Sequence, residues 1–120
     1  MTTTITREFT GFIDSSPTPF HAVANMHSLL LANGFRELHE GDRWDIQPGG
    51  RYVVTRNGSS LVAFVTSQQD PASSGIRLTG THTDSPCLKI KPNPDLARHG
   101  YRQLGVEIYG GVLLHPWFDR

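Results

Sequence analysis

Apolar residues recur at three- and four-residue spacing as far as Asn33-Gly34, and from Phe35 onward they fall into short runs separated by turn residues. The first period lines one face of a helix, whereas short apolar runs bounded by Gly, Pro, Asn and Ser belong to strands. Helices followed by a sheet are therefore expected. Phe9, Phe12 and Ile13 share one face of a short helix within residues 3–15, which Ser15-Ser16-Pro17 breaks. Thr18-Pro19 then has the form of an N-cap and a proline in the first turn, where the missing N–H costs nothing. The second helix that begins there has Phe20, Val23, Ala24, His27, Leu30 and Leu31 as its inward stripe. Asn33-Gly34 supplies the residues that readily take positive φ at its C-terminus.

Tyr52 to Thr55 and Leu61 to Thr66 read as a hairpin turning through Asn57-Gly58. The unbroken apolar run of its second strand predicts burial on both faces and a central place in the sheet. Gln68 to Gly75 reads as a polar loop, and Ile76 to Thr81 as a further buried strand that delivers His82 at its end. Cys87 to Lys91 alternates as a half-exposed strand would, ended by Pro92-Asn93-Pro94, and Leu104 to Tyr109 and Val112 to Leu114 are expected strands joined through Gly110-Gly111. The change from buried to alternating patterns after Pro92 places an expected domain boundary there, dividing residues 1–92 from 93–120. The sequence ends at Pro116-Trp117-Phe118-Asp119-Arg120 without a stop signal and is expected to be one piece of a longer protein.

Eleven basic residues balance eleven acidic ones, so no long-range field favours nucleic acid or an anionic membrane as partner. Lys89, Lys91, Arg98 and Arg102 form a loose basic stretch that reads as a solvated face. Nothing approaches the roughly 20 apolar residues of a membrane span, and runs such as Leu61-Val62-Ala63-Phe64-Val65 are far shorter. Cys87 is the one cysteine and cannot form an internal disulfide, and no N-terminal basic and apolar run resembles a secretory signal. A reducing, cytoplasmic setting is expected.

The chemically informative segment is Thr79-Gly80-Thr81-His82-Thr83-Asp84-Ser85-Pro86, which places a His and an Asp two residues apart after an expected strand. Extended backbone would put both on one side. Neutral imidazole is a natural Zn²⁺ ligand, and a nearby carboxylate can hold the other ring nitrogen of a ligand histidine. Alone, His-x-Asp is a weak signal, more often a surface or hydrogen-bonded pair than a metal site. A nucleophile reading fails because no Gly-x-Ser-x-Gly elbow surrounds Ser85, and Cys87 in a strand pattern reads as a small buried residue. Gly49-Gly50 and Gly110-Gly111 match neither a phosphate loop nor a dinucleotide fingerprint and read as turns. His21, His27, His39, His99 and His115 lack the paired helical spacing of a local zinc site. Trp44 and Trp117 read as core or interface anchors.

Three segments, Ser16-Pro17-Thr18-Pro19-Phe20-His21-Ala22, Gly80-Thr81-His82-Thr83-Asp84-Ser85-Pro86-Cys87-Leu88 and Tyr109-Gly110-Gly111-Val112-Leu113-Leu114-His115-Pro116-Trp117-Phe118-Asp119-Arg120, resemble successive motifs of the aspartyl aminopeptidases, the M18 zinc aminopeptidases. The resemblance runs over nearly the whole chain. It implies an exopeptidase with two Zn²⁺ per active site, in which His82 binds one metal and Asp84 supports that histidine's role. An activated water would then attack the carbonyl beside a free N-terminal residue, with acidic residues favoured. It also implies an α/β, zinc-peptidase-like catalytic domain, of which 1–92 is the N-terminal part, interrupted by an inserted β-rich dimerisation domain beginning at 93. Assembly into a homo-oligomer, often a dodecamer, is implied as well. The family's bridging aspartate, base glutamate and remaining ligands are expected beyond Arg120, so the isolated chain is expected to be inactive. Two rivals are a non-catalytic binding or assembly fragment and another co-catalytic zinc hydrolase; the first and last motifs argue against the second.

Overall fold

Helix α1 (Thr4–Asp14) begins where the Thr3 hydroxyl accepts the Thr6 N–H at 3.3 Å, and α2 (Pro19–Ala32) where Thr18 accepts the His21 N–H at 3.4 Å. Asn25 Nδ2 ties α2 to the corner between the helices, donating to the Ser15 carbonyl at 2.9 Å and to Ser16 Oγ at 3.0 Å. These features belong to a computed structural model that describes residues 3–118. The chain divides into two compact units, Met1–Thr83 and Asp84–Arg120.

The first unit carries a three-stranded sheet in the order β1 (Arg36–Glu37), β2 (Arg51–Arg56), β3 (Ser60–Val65). Strand β2 runs parallel to β1 and antiparallel to β3, and the expected hairpin turns with positive φ at both Asn57 and Gly58. Tyr52, Val53 and Val54 are all buried; Tyr52 and Val54 cluster with Leu38, against which Phe64 packs. Alternation sends Val53 to the opposite face. Helix α2 packs on β2 and β3 and contributes the buried Ala22 and Val23.

Several expectations are corrected here. Strand β2 is central, while β3 lies at the sheet edge among the described residues, with Val62 and Val65 59% and 61% exposed. The apolar run predicted two-sided burial, but among the described residues β3 has β2 as its one paired strand and α2 as the helix packed on it. Strand β1 carries no sequence signal, because its two residues are both charged; pairing alone makes it a strand, extended by the Leu38 N–H donating to the Val53 carbonyl at 2.8 Å. On α2, Phe20 and Leu31 of the expected inward stripe are exposed, and His27 is half-buried with Nε2 3.1 Å from Glu37 Oε1, an ion-pair distance without hydrogen-bond alignment. The expected polar loop contains a single-turn helix, α3 (Pro71–Ser74), capped by Asp70 accepting the Ala72 N–H at 2.9 Å. Residues 76–81 form no strand: Ile76 and Leu78 are 82% and 90% exposed, and among the described residues no strand pairs with this segment.

The second unit is a hairpin of β4 (Cys87–Arg98) and β5 (Tyr101–Tyr109), turning at His99-Gly100 with φ of 52° and 82°. Pro92-Asn93-Pro94 does not end β4. Ile90 pairs with Val106 and Asp95 with Leu104, so residues 91–94 bulge opposite Gly105. A bulge removes residues from the ladder, which lets two prolines without N–H donors sit inside a strand. Gly105 fits the same irregularity, since a Cβ there would stand 3.3 Å from the Pro94 carbonyl oxygen. Val112–Leu114 is not a strand; the chain leaves β5 at Gly110 and enters a 3₁₀ turn over His115–Trp117.

Candidate metal-site segment

His82 lies on the irregular segment between α3 and β4 and is exposed. Gly75, with φ of 74° and ψ of 179°, stops α3 in a conformation reserved for glycine and releases the chain into that segment. The next residue, Thr83, is half-buried and fixed, its hydroxyl donating to the Ser59 carbonyl at the β2–β3 turn at 2.9 Å.

Asp84 opens the second unit and is half-buried. Its Oδ2 accepts a hydrogen bond from the Tyr109 hydroxyl at 2.7 Å. Tyr109 is the last residue of β5 and stands opposite Cys87, the first residue of β4, so the hairpin register sets where the phenol arrives. The hydrogen bond to the Asp84 carboxylate, and secondarily the carboxylate's negative charge, push the Tyr109 hydroxyl's pKa above its ordinary 10.0. Lys89 Nζ sits 5.1 Å from the centroid of the Tyr109 ring. Gly110 follows with φ of 66°, and a Cβ there would meet Pro86 Cα at 3.4 Å. The Tyr-Gly pair thus lets the strand end against the segment that carries Asp84. Cys87 is a free thiol, half-buried where full burial was expected.

Zinc takes four ligands in structural sites and at least three protein ligands in catalytic ones. Among the described residues no group of three or more His, Cys, Asp and Glu could hold a metal ion. The donor types, an imidazole on an exposed segment and an anchored carboxylate two residues on, suit zinc, but two residues are fewer than the three protein ligands of a catalytic site. The other histidines stay apart from this segment in role: His21 Nδ1 is 2.8 Å from Thr18 Oγ1 at the α2 cap, and His99 occupies the β4–β5 turn.

The sequence assigns Tyr109 no role of its own: it stands there as the end of an expected strand and the first residue of the third motif, directly before Gly110-Gly111.

The sequence profile of a family described as Aminopeptidase I zinc metalloprotease (M18) matches residues 12–120. A curated protein of Pseudomonas syringae pv. syringae named Probable M18 family aminopeptidase 2 is 59% identical over 109 residues, which cover 91% of this chain and 25% of that protein. Among solved structures, that of the Saccharomyces cerevisiae mApe1 dodecamer superposes with a TM-score of 0.84 at 34% identity, covering 98% of this chain and 28% of that one. A chain in the cryo-EM structure of the Ape4 and Nbr1 complex is similar at 43% identity and a TM-score of 0.80, covering 94% of this chain and 22% of that one. The chain spans about a quarter of the length of the curated relatives it matches.

Proposed function

The chain belongs to the M18 family of zinc metalloproteases, and on that premise we propose that the full-length protein removes N-terminal residues from peptides by zinc-dependent hydrolysis. His82 is one metal ligand in this reading, and Asp84 supports it. The observation that carries the proposal is the family match over residues 12–120, inside which the His82-Thr83-Asp84 segment is held at two successive positions, Thr83 by Ser59 and Asp84 by Tyr109. A ligand on an otherwise irregular segment needs such anchors, because wandering of the side chain would be lost as metal affinity.

Zinc, when bound, supplies Lewis acidity toward the scissile carbonyl. The part of this chain is to present the His82 imidazole to the metal and to keep the Asp84 carboxylate in one orientation. Two zinc ions per site, a preference for N-terminal Asp or Glu, and a cytoplasmic setting belong to the same proposal. So does the division of the whole protein into a catalytic domain, with 1–92 as its N-terminal part, and a β-rich insertion from 93. Homo-oligomeric assembly is supported by the yeast relative's description as a dodecamer and by the apolar residues exposed on β4 and β5, among them Ile90, Leu104 and Ile108.

The test is quantified zinc and peptidase activity of the full-length protein, with substrates beginning in Asp, Glu, Leu and Ala. We expect activity that a chelator removes, and His82→Ala to lose both zinc and turnover by at least about 100-fold. A His82→Ala protein with unchanged zinc content and activity would falsify the ligand assignment. An inert, metal-free full-length protein would favour the assembly-fragment reading.

A further inference from the structure

We propose that Tyr109 is a positioning residue for the metal-site segment, its phenol O–H fixing the carboxylate of Asp84. The inference rests on the zinc aminopeptidase reading above, but the contact that motivates it does not.

Tyr109 belongs to none of the chemistry assigned so far, yet its hydroxyl reaches a carboxylate oxygen at 2.7 Å, the short distance expected of an O–H donating to an ionised acceptor. An exposed Asp would ordinarily be solvated and rotate among its rotamers; a half-buried one with a fixed donor loses that freedom when the protein folds instead of when metal arrives. Three features place the donor. The β4–β5 register sets Tyr109 opposite Cys87, three residues after Asp84. Lys89 lies over the phenol ring at 5.1 Å and restricts it from one face. Gly110 turns the chain away with positive φ beside Pro86, so that the strand can end close to the segment. The surrounding residues therefore specify a direction for the phenol, and the direction is toward Asp84 Oδ2.

A carboxylate held this way presents a fixed partner for whatever it supports. If Asp84 orients the ligand histidine, Tyr109 acts one step further out, through Asp84 alone. Removing its hydroxyl should then weaken metal retention without altering substrate contacts, lowering kcat at fixed zinc while KM stays near its original value.

The experiment is a cycle on the full-length protein: wild type, Tyr109→Phe, Asp84→Asn and the double variant, with zinc affinity measured by chelator competition and kcat and KM measured separately. His82→Ala serves as the reference for the underlying reading. Tyr109→Phe is expected to weaken zinc affinity by about 10-fold, at the low end for residues that support a ligand. In the Asp84→Asn background the same change is expected to add less than about twofold, because a residue acting only through its partner is non-additive with it. Full additivity would overturn the proposal, as would zinc affinity and kcat within twofold of wild type for Tyr109→Phe while His82→Ala abolishes both. If His82→Ala itself leaves zinc bound, it is the ligand reading that fails, a result the Tyr109 arm does not mimic. Should Tyr109→Phe not fold, 4-aminophenylalanine at position 109 keeps a donor at the same reach; retained zinc affinity supports the proposal, and a 10-fold loss in that folded protein overturns it.

Discussion

Val53 offers the most direct test of how the first unit is built, because its side chain is 0% exposed at the middle of the central strand. Val53→Ala deletes two buried carbons. At about 0.8 kcal/mol for each buried methylene-sized group, the transfer loss is about 1.6 kcal/mol, and the void left behind raises the expected cost to about 2 kcal/mol. That is about a 30-fold fall in the folded-to-unfolded ratio. Val53→Thr keeps the shape but buries a hydroxyl where the two sheet neighbours already use the backbone groups, and it should cost a similar about 1–3 kcal/mol. Urea unfolding of the full-length protein, followed by far-ultraviolet circular dichroism, would read both as midpoint shifts with an unchanged slope. The consequence for the site is indirect: β2 holds β3 in register, and Ser59 at their turn accepts the Thr83 hydroxyl beside His82. Zinc retention should therefore match wild type at low urea and fall only along the unfolding curve. A Val53→Ala midpoint within about 0.5 kcal/mol of wild type would refute the assignment of β2 as the core strand.

Two further predictions concern the same unit. Thr18→Ala removes the acceptor for the His21 N–H at the start of α2 and should cost about 1 kcal/mol, with Thr18→Ser restoring most of it in the same urea experiment. The Glu40 carboxyl, hydrogen-bonded by the Arg56 guanidinium, has its pKa lowered from 4.5, so the pair favours the folded state above that value and the contribution fades as pH falls through the lowered one. Because both groups are exposed the effect on stability is small; carbon-detected NMR should show Glu40 titrating below 4.5 in the wild type and returning to it in Arg56→Ala or at high salt.

What the sequence makes legible follows from how local each signal is. The α2 boundaries are readable because Thr18-Pro19 and Asn33-Gly34 act on their immediate neighbours, and the β2–β3 hairpin because Asn57-Gly58 fixes a turn by its own φ angles. His82 and Asp84 are visible as residue types at a spacing, and the family motifs around them are continuous stretches. Tyr109 is not, because its partnership with Asp84 spans a strand register that pattern alone cannot set, and that register is offset by a bulge at Lys91-Pro92-Asn93-Pro94. Reading those prolines as a strand end was reasonable local chemistry; the bulge absorbs them because Gly105 across the hairpin leaves space for the displaced carbonyl.

The misread segments share one cause. Leu61 to Val65 and Ile76 to Thr81 both carry the composition of strands buried on two faces, and both present large apolar side chains to solvent here. An apolar pattern records the neighbours a segment has in the complete fold, whereas strand assignment and burial record the neighbours at hand. Val62, Val65, Ile76 and Leu78 are each open to solvent, and β3 is an edge strand among the described residues, features that a folded protein ordinarily covers. Such a surface fits a chain that spans about a quarter of the family members it resembles. Ile76 and Leu78 lie six and four residues before His82 in the chain, so under the proposed zinc reading whatever covers them would also order the segment that carries the ligand, and metal affinity would be coupled to that ordering.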